Sequence, residues 1–259
     1  MTEATHSAVD RPSWVDLATA DAGAARDFYA KLFGWTVEVN PDPMYGGYGR
    51  AKLGGKDVAG IGPVQSPDQP TRWSMYIGTD DIDALTRKVE AADGTTLAAP
   101  FDVGDQGRMA AFLDPTGAAF SAWQGTRMGG FETTGPNGYG WSELTSADIE
   151  RALPFYRSVF GWDVRRSPMP GGPEYIEFQL EGESVAGAWA MDPEQMAGAP
   201  SQWMVYFAVD DIDATFRTAI ENGGHEINAP QAYPGGAFAI LTDPQGASFG
   251  LLRSDDTAG

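Results

Sequence analysis

A long passage of the sequence occurs twice. WVDLATADAGAARDFYAKLFGW begins at Trp14, and WSELTSADIERALPFYRSVFGW begins at Trp141. Further along, DPTGAAF at Asp114 returns as DPQGASF at Asp243, at nearly the same separation. Because both the order and the spacing of these passages survive, the chain is a duplication, and it must fold into two similar halves.

The repeat also sets the domain limits that we predict. Glycine, threonine and proline accumulate between 125 and 140, where the apolar periodicity is lost, so this stretch is predicted to link the halves. The predicted organisation is a flexible N-terminal tail at 1–11, domain 1 at 12–124, the linker at 125–140, domain 2 at 141–253 and a C-terminal tail at 254–259.

A shorter pattern recurs within each half. An apolar-alternating strand at Trp14–Ala18 leads to Asp21, a predicted helix N-cap, and then to apolar residues at helical spacing. Short strands separated by glycine or by Asp-Pro-x-Gly turns follow the helix. The predicted fold class is therefore α+β, with four β-α-β-β-β modules. Pro154 predicts that the third helix starts later than its counterpart in the first half, or is kinked.

Composition excludes several kinds of partner and chemistry. With 36 acidic and 17 basic residues, the formal charge of −19 repels nucleic acid and anionic membrane surfaces. The chain carries no cysteine, which excludes disulfides, thiolate metal sites and a cysteine nucleophile. The N-terminal residues lack the pattern of a signal peptide, and we expect a cytoplasmic protein.

The motifs WVDLATAD, FYAKLFGW, DDIDA and DPTGAAF, in that order, give the chain a family resemblance. It resembles the glyoxalase/bleomycin-resistance/extradiol-dioxygenase superfamily, the vicinal oxygen chelate proteins, over nearly all of residues 12–253. It is similar in particular to a two-domain subgroup labelled hydroxylases or glyoxalase-like antigens, some of them associated with antibiotic biosynthesis. The resemblance implies tandem domains, each of two βαβββ modules that form a curved mixed sheet with a cleft.

The resemblance also implies where metal-dependent members carry their His or Glu ligands. Those positions hold Trp14, Ser74 and Ser121 in the first half and Trp141, Met204 and Gly250 in the second. An indole nitrogen only donates, and the two histidines, His6 and His225, lie in the predicted tail and at a helix end. We therefore predict no metal and no other cofactor. An all-oxygen site for a hard cation, using Asp16 or Glu143, stays open as an alternative.

Strand alternation predicts the residues that face the clefts, because every second side chain points to the same side. The candidate catalytic residues are Asp16, Glu143, Tyr76 and Tyr206. The candidate ligand-binding residues are Trp14, Ser74, Ser121, Trp123, Trp141, Met204 and Leu252. The alternative is that the aromatic residues fill the core and that the carboxylates cap backbone groups or meet water.

An aromatic cleft with one carboxylate in each half suits a flat organic ligand. We predict a metal-independent protein that binds, and in one version transforms, an aromatic secondary metabolite or drug, with Asp or Glu as the orienting or acid–base group. The alternatives are a metal-dependent lyase, isomerase or dioxygenase, and a pure antibiotic-sequestering protein. The residues do not decide whether the chain is an enzyme. Since two cleft-forming halves are fused, we expect a monomer with an internal pseudo-dimer and without nucleic-acid or membrane partners.

Overall fold

Four modules of the order β-α-β-β-β follow one another along the chain, as the sequence predicted. The structure is a computed structural model that describes residues 9–168, 174–192 and 198–255. Most of the predicted N-terminal tail, including His6, and the end of the predicted C-terminal tail lie outside the described residues.

Within the described residues the first half contains eight strands, two α-helices and one 3-10 turn at Pro43–Tyr45. The strands and α-helices are β1 (Pro12–Thr19), α1 (Ala22–Phe33), β2 (Thr36–Val39), β3 (Gly49–Leu53), β4 (Lys56–Pro63), β5 (Arg72–Gly78), α2 (Ile82–Ala91), β6 (Thr95–Val103), β7 (Gly107–Leu113) and β8 (Ala119–Gly125). The second half repeats this series. Its elements are β9 (Tyr139–Ser146), α3 (Ile149–Phe160), β10 (Asp163–Ser167), β11 (Tyr175–Leu180), β12 (Glu183–Ala190), β13 (Gln202–Ala208), α4 (Ile212–Glu221), β14 (His225–Tyr233), β15 (Gly236–Thr242) and β16 (Ser248–Ser254).

Each half forms one mixed sheet of eight strands. The strand orders are β2-β3-β4-β1-β5-β8-β7-β6 and β10-β11-β12-β9-β13-β16-β15-β14. Within a module the first and last strands run parallel, as β1 does with β4, and the hairpin strands run antiparallel. The two orders are the same when counted from the start of each half, which confirms the predicted fold class.

Aspartate precedes each of the four described α-helices as its N-cap. The side chains of Asp21, Asp81, Asp148 and Asp211 each accept a hydrogen bond from the backbone N–H of a residue in the first turn. This arrangement satisfies one of the backbone donors that the first turn of a helix leaves without a partner. The predicted N-cap at Asp21 is confirmed.

Pro154 lies inside α3 without shortening it. Helix α3 has 12 residues, as α1 has, and its first residue is the repeat equivalent of the first residue of α1, so the expected later start is wrong. Proline removes one backbone hydrogen bond. The buried face of α3, which includes Phe155 and Tyr156, keeps the helix in place, because packing of an apolar face outweighs the loss of a single bond.

The packing divides the chain into two compact units that differ from the two halves. The α1–α4 unit contains Val15–Ser74, Phe131–Trp141 and the described part of Val205–Gly259. The α2–α3 unit contains Met75–Gly130, the described parts of Ser142–Met204 and the described residues before Val15. Each unit therefore joins the first module of one half to the second module of the other.

A buried tyrosine holds the two modules of the α1–α4 unit together. The hydroxyl of Tyr29 accepts a hydrogen bond from Trp73 Nε1 at 2.8 Å and donates one to Asp243 Oδ2 at 3.1 Å. The other oxygen of Asp243 accepts the backbone N–H groups of Gln245 and Ala247, both at 2.9 Å. The repeated FY and Asp-Pro motifs thus meet across the two halves of the sequence.

The α2–α3 unit contains the same network. Tyr156 accepts a hydrogen bond from Trp203 Nε1 at 2.8 Å and donates one to Asp114 Oδ2 at 2.9 Å. Burial raises the pKa of Tyr156 and of Tyr29 well above the usual value, and the neighbouring carboxylate raises each pKa further. Both hydroxyls therefore remain protonated donors at neutral pH.

The predicted linker at 125–140 makes defined contacts. The backbone carbonyl of Met128 accepts the indole N–H of Trp123 at 2.8 Å. Phe131 stacks on Tyr139 with ring centroids 4.7 Å apart. Strand β9 already begins at Tyr139.

None of the described helices is long and apolar enough to cross a membrane.

Candidate functional site

Asp16 stands in the middle of β1 on the face opposite its buried neighbours. Val15 and Leu17 are fully buried, whereas Asp16 is half-buried. Because β1 pairs with β4 and β4 with β3, Asp16, Gly60 and Arg50 form one row across three strands. Residues in such a row point to the same face, and the Cα atoms of the outer two are about 10 Å apart.

Two glycines of β4 leave the space above this row to the ring of Tyr48. A β-carbon placed on Gly60 would lie 1.8 Å from the Tyr48 hydroxyl oxygen and 2.9 Å from Asp16 Cβ. A β-carbon placed on Gly62 would lie 2.9 Å from Tyr48 Cδ2. The ring therefore rests on the backbone of β4, with its hydroxyl next to Asp16. Tyr48 is half-buried there.

Basic residues occupy the β3 side of the same face. Arg50 Nη1 lies 2.6 Å from Asp57 Oδ2, and Lys52 Nζ lies 3.1 Å from Asp57 Oδ1. Asp57 is buried, and its backbone N–H donates to Glu132 Oε2 at 2.7 Å. The hydrogen bond to Asp57 raises the pKa of Lys52. We call Asp16, Tyr48, Arg50, Gly60 and Gly62 the first-half face; all of them lie in the α1–α4 unit.

The corresponding second-half face lies in the α2–α3 unit. Its row is Glu143, Gly187 and Glu177, and Tyr175 is the repeat equivalent of Tyr48. Trp189 takes the place of Gly62, as the register of β12 with β9 shows. Its indole N–H donates to Thr145 Oγ1 at 2.9 Å. A large side chain thus occupies the position where the first half leaves room for a tyrosine ring.

The two halves also carry opposite charges on the facing residues of their first hairpin strands. In the first half Glu38 on β2 faces Arg50 on β3, and in the second half Arg165 on β10 faces Glu177 on β11. Glu177 is bound by Arg165 and by the hydroxyl of Ser184, each at 2.5 Å. The carboxylates Asp16 and Glu143 therefore share their faces with a cation in one half and with an anion in the other.

The structure distributes the predicted site residues over both units. The α2–α3 unit holds Trp14, Tyr76, Ser121, Trp123, Glu143 and Met204. The α1–α4 unit holds Asp16, Ser74, Trp141, Tyr206 and Leu252. A cleft that gathers the residues of one half stays a prediction.

Several of the predicted aromatic residues are packed closely within their own unit. Tyr76 stands beside Ser121 across β5 and β8, and both are buried. The Trp123 ring lies over Gly107, where a β-carbon would be 2.7 Å from Cζ2. The Tyr206 ring lies over Gly250, where a β-carbon would be 2.0 Å from Cδ1. Trp14 and Met204 are buried as well, while Ser74, Trp141 and Leu252 are half-buried.

Sequence reasoning does not select Tyr48 or Tyr175 as site residues. Alternation predicts facing residues on the first strand of every module and on the last strand of the second and fourth modules, whereas these tyrosines lie directly before β3 and at the start of β11. A signal is present, because Tyr48 and Tyr175 have the same separation along the chain as Asp16 and Glu143. An aromatic residue repeated in register with a repeated carboxylate indicates a shared face.

The residues at the family's ligand positions do not fit a His/Glu metal centre. Trp14 and Trp141 can only donate, Gly250 has no side chain, and Met204 offers a soft thioether. In the part of the chain that the structure describes, no three His, Asp or Glu side chains are grouped so that they could hold a metal ion. His225, the histidine within the described residues, begins β14 and is exposed.

Comparison with known proteins identifies two matching segments. The family described as Glyoxalase/Bleomycin resistance protein/Dioxygenase superfamily matches residues 11–121 and 138–251. These segments coincide with the two halves of the repeat.

Relatives match over nearly the whole chain. "Putative glyoxylase CFP32" of Mycobacterium bovis is 42% identical over 248 residues, covering 93% of this chain and 94% of the relative. "Anthracycline biosynthesis protein DauV" of Streptomyces sp. strain C5 is 39% identical over 264 residues, covering 96% and 95%. Among solved structures, the Mn(II)-bound glyoxalase from Novosphingobium aromaticivorans matches with a TM-score of 0.65 at 18% identity, covering 95% of this chain and 82% of that one. This last likeness is one of fold.

Proposed function

The chain belongs to the Glyoxalase/Bleomycin resistance protein/Dioxygenase superfamily. From that membership we propose that it binds an aromatic small molecule at the first-half face, without a metal ion. The observation that carries this proposal is the ring of Tyr48, which lies on a glycine backbone beside a half-buried carboxylate. The proposed site joins one flat apolar surface to one strong hydrogen-bond acceptor, the combination that an aromatic ligand with a hydroxyl group requires.

Stacking on Tyr48 supplies affinity, and Asp16 supplies orientation. An aromatic pair in offset contact contributes about 0.5–1.5 kcal/mol beyond the burial of its area. A phenol or alcohol of the ligand then donates to the Asp16 carboxylate, and a hydrogen bond to a charged acceptor contributes about 1.5–3 kcal/mol. In the second half Trp189 occupies the matching space, so we assign ligand binding to the first half.

The name of the Streptomyces relative supports the ligand class. That protein is named for anthracycline biosynthesis. Anthracyclines are fused aromatic rings with phenol and quinone oxygens, which fit a tyrosine surface beside a carboxylate. We extend this to the present chain as the proposal that its ligand is a planar, oxygenated aromatic molecule.

The side chains at the first-half face support a function without a metal ion. In place of a metal, the first-half face offers a carboxylate as proton acceptor and a tyrosine hydroxyl as proton donor. In a catalytic version Asp16 removes a proton from the ligand and returns it to another atom of the same ligand, so that no other reactant is needed. In a sequestering version the same contacts hold the ligand unchanged. Tyr76, Tyr206 and Glu143, the other predicted catalytic residues, lie outside the first-half face, and the proposal gives them no part in this proton transfer.

Metal analysis and ligand titration test the proposal together. The protein is purified without added ions and its metal content is measured; stoichiometric iron, zinc, nickel or manganese would overturn metal independence. The neutral probe 2-(hydroxymethyl)anthraquinone is then titrated while tryptophan fluorescence is recorded. We expect saturable binding by the metal-free protein.

A glycine substitution localises the binding. Gly60→Ala places a methyl group where the Tyr48 hydroxyl lies, so the ring must move and affinity for the probe should fall about tenfold or more. Gly23→Ala on α1 is the matched control, because its β-carbon meets only Asp21 Oδ1 at an ordinary 3.4 Å. Equal affinities of the two variants would remove the site from the first-half face.

A further inference from the structure

We infer that Arg50 makes the first-half face selective for aromatic ligands that carry an acidic group, a carboxylate or a phenolate. This inference rests on the proposed function, and it deepens that function by naming the ligand's charge. The relevant observations are the position of Arg50 in the Asp16 row, its attachment to a buried aspartate and the reversed charge at the same place in the second half.

Arg50 is directed onto the same face as Asp16 by the strand register. The two residues flank Gly60 across three paired strands, and the Tyr48 ring lies over that glycine. A ligand stacked on Tyr48 therefore has a carboxylate on one side and a guanidinium on the other. A hydroxylated aromatic acid satisfies both, with its hydroxyl toward Asp16 and its acid group toward Arg50.

The Arg50 guanidinium has further hydrogen-bond donors for such a ligand. Among the described residues, Asp57 is its one hydrogen-bonding partner, through Nη1, and the side chain is 41% exposed. A guanidinium has five N–H donors in a planar fork that matches a carboxylate. The buried Asp57 thus fixes the direction of Arg50 and leaves the larger part of its donor set for an acid group.

Two acidic side chains accompany the two cations of this face. Lys52 shares the Asp57 carboxylate at 3.1 Å and also lies 3.5 Å from Glu38. Asp57 and Glu38 together balance the two cations, so an acid group is bound by hydrogen bonds from the guanidinium and not by an excess of positive charge. Asp16 repels an acid group, which is why that group is placed on the Arg50 side of the ring.

The second half gives the opposite expectation. Glu177 stands where Arg50 stands, and its side chain, 17% exposed, is held by Arg165 and Ser184. An acidic ligand would meet two carboxylates, Glu143 and Glu177, in the same row. Selectivity for acids is therefore a property of the first half.

Matched probes separate the acid group from the ring. Anthraquinone-2-carboxylate and 2-(hydroxymethyl)anthraquinone share their ring system and differ in one charge. We expect Arg50→Gln to weaken binding of the carboxylate about tenfold and to change binding of the neutral alcohol less than about twofold. Arg157→Gln on α3, whose side chain is 72% exposed, is the matched control, and it should change neither affinity.

Arg50→Lys keeps the charge and loses the fork, so its carboxylate affinity should lie between those of the native protein and Arg50→Gln. This variant also guards against a folding defect, which would weaken both probes together. The inference is overturned if Arg50→Lys and Arg50→Gln weaken binding of both probes equally, or if neither variant weakens binding of the carboxylate. In either case, binding of the alcohol still tests the proposed function. If neither probe binds the native protein, the proposed function fails and this inference fails with it.

Discussion

The first-half and second-half faces have the same strand register and different side chains. Asp16 and Glu143 occupy equivalent places, each opposite a glycine of the neighbouring strand. Around them the first half has Gly62 and Arg50, where the second half has Trp189 and Glu177. The shared register shows what the sheet requires, and the differing side chains show where the two copies have become free to take different roles.

The buried tyrosine networks show the opposite behaviour. Tyr29 and Tyr156 have equivalent donors and acceptors, and each hydroxyl lies 2.8 Å from the indole nitrogen that donates to it. Because each network joins two modules inside one compact unit, a change in one member leaves a buried polar group without a partner. The side chains are therefore the same in the two buried networks and differ between the two faces.

The largest effect is expected from replacing the two repeated carboxylates, which tests whether the two faces differ in catalysis. On any ligand that the protein transforms, Asp16→Asn should lower the single-turnover rate by about two to four powers of ten, because the amide keeps the volume and loses the proton acceptor. Glu143→Gln should stay within about twofold. Single-turnover rates and dissociation constants, measured on a ligand found by thermal-shift screening, give the result. Equal losses in both variants would mean that the faces have not diverged in function.

The next effect tests whether the tyrosine networks are equivalent. Asp243→Ala removes the acceptor of Tyr29 and of two backbone N–H groups, and we expect a loss of about 3 kcal/mol in the free energy of unfolding. Asp114→Ala should cost the same within about 1 kcal/mol. Urea unfolding followed by circular dichroism measures both, with Asp68→Ala on an exposed loop as control. A difference of several kcal/mol would break the equivalence.

A smaller effect distinguishes the two repeated tyrosines. Tyr48→Ala should weaken binding of 2-(hydroxymethyl)anthraquinone by about 1–2 kcal/mol, since the stacking surface is lost. Tyr175→Ala, on the face that Trp189 occupies, should leave the affinity nearly unchanged. Fluorescence titration measures both. Weaker binding in Tyr175→Ala alone would move the proposed site to the second half.

The pH dependence of stability gives a separate test of the two tyrosine networks. The folded-state pKa of Tyr29 and of Tyr156 lies above the ordinary value of 10.0, so above pH 10 the unfolded chain releases protons that the folded chain retains. The free energy of unfolding should therefore fall as pH rises above 10, by about 1.4 kcal/mol per pH unit for each tyrosine. Tyr29→Phe and Tyr156→Phe should each make this slope shallower by the same amount. Denaturation at several alkaline pH values is the measurement, and unchanged slopes would show that these hydroxyls ionise in the folded chain.

Much of the fold follows from local signals. Asp21 as N-cap, the apolar strands and the Asp-Pro-x-Gly turns lie close together in the sequence, and the duplication makes each signal appear twice. The pairing of Tyr29 with Asp243 could not be read in this way. Each half offers an identical aspartate, so chemistry alone does not distinguish Asp114 from Asp243 as the partner. That choice depends on how the modules pack.

The site was predictable in part. Period-two alternation places Asp16 on the face away from Val15 and Leu17, as the structure has it. The Tyr48 ring could not be placed, because its position depends on the absence of side chains at Gly60 and Gly62 on a different strand. From the sequence Arg50 is one more solvated basic residue, since the register that aligns it with Asp16 includes a bulge between β3 and β4.

The exchanged charges on the outer hairpins limit how the two repeats can recombine. Glu38 faces Arg50, and Arg165 faces Glu177, so each hairpin is complementary only within itself. Copying β11 over β3 alone would set Glu against Glu38, and the reverse copy would set Arg against Arg165; like charges directly opposite each other destabilise a strand pair. Copying a single strand between the repeats should therefore cost stability that copying the whole hairpin would not.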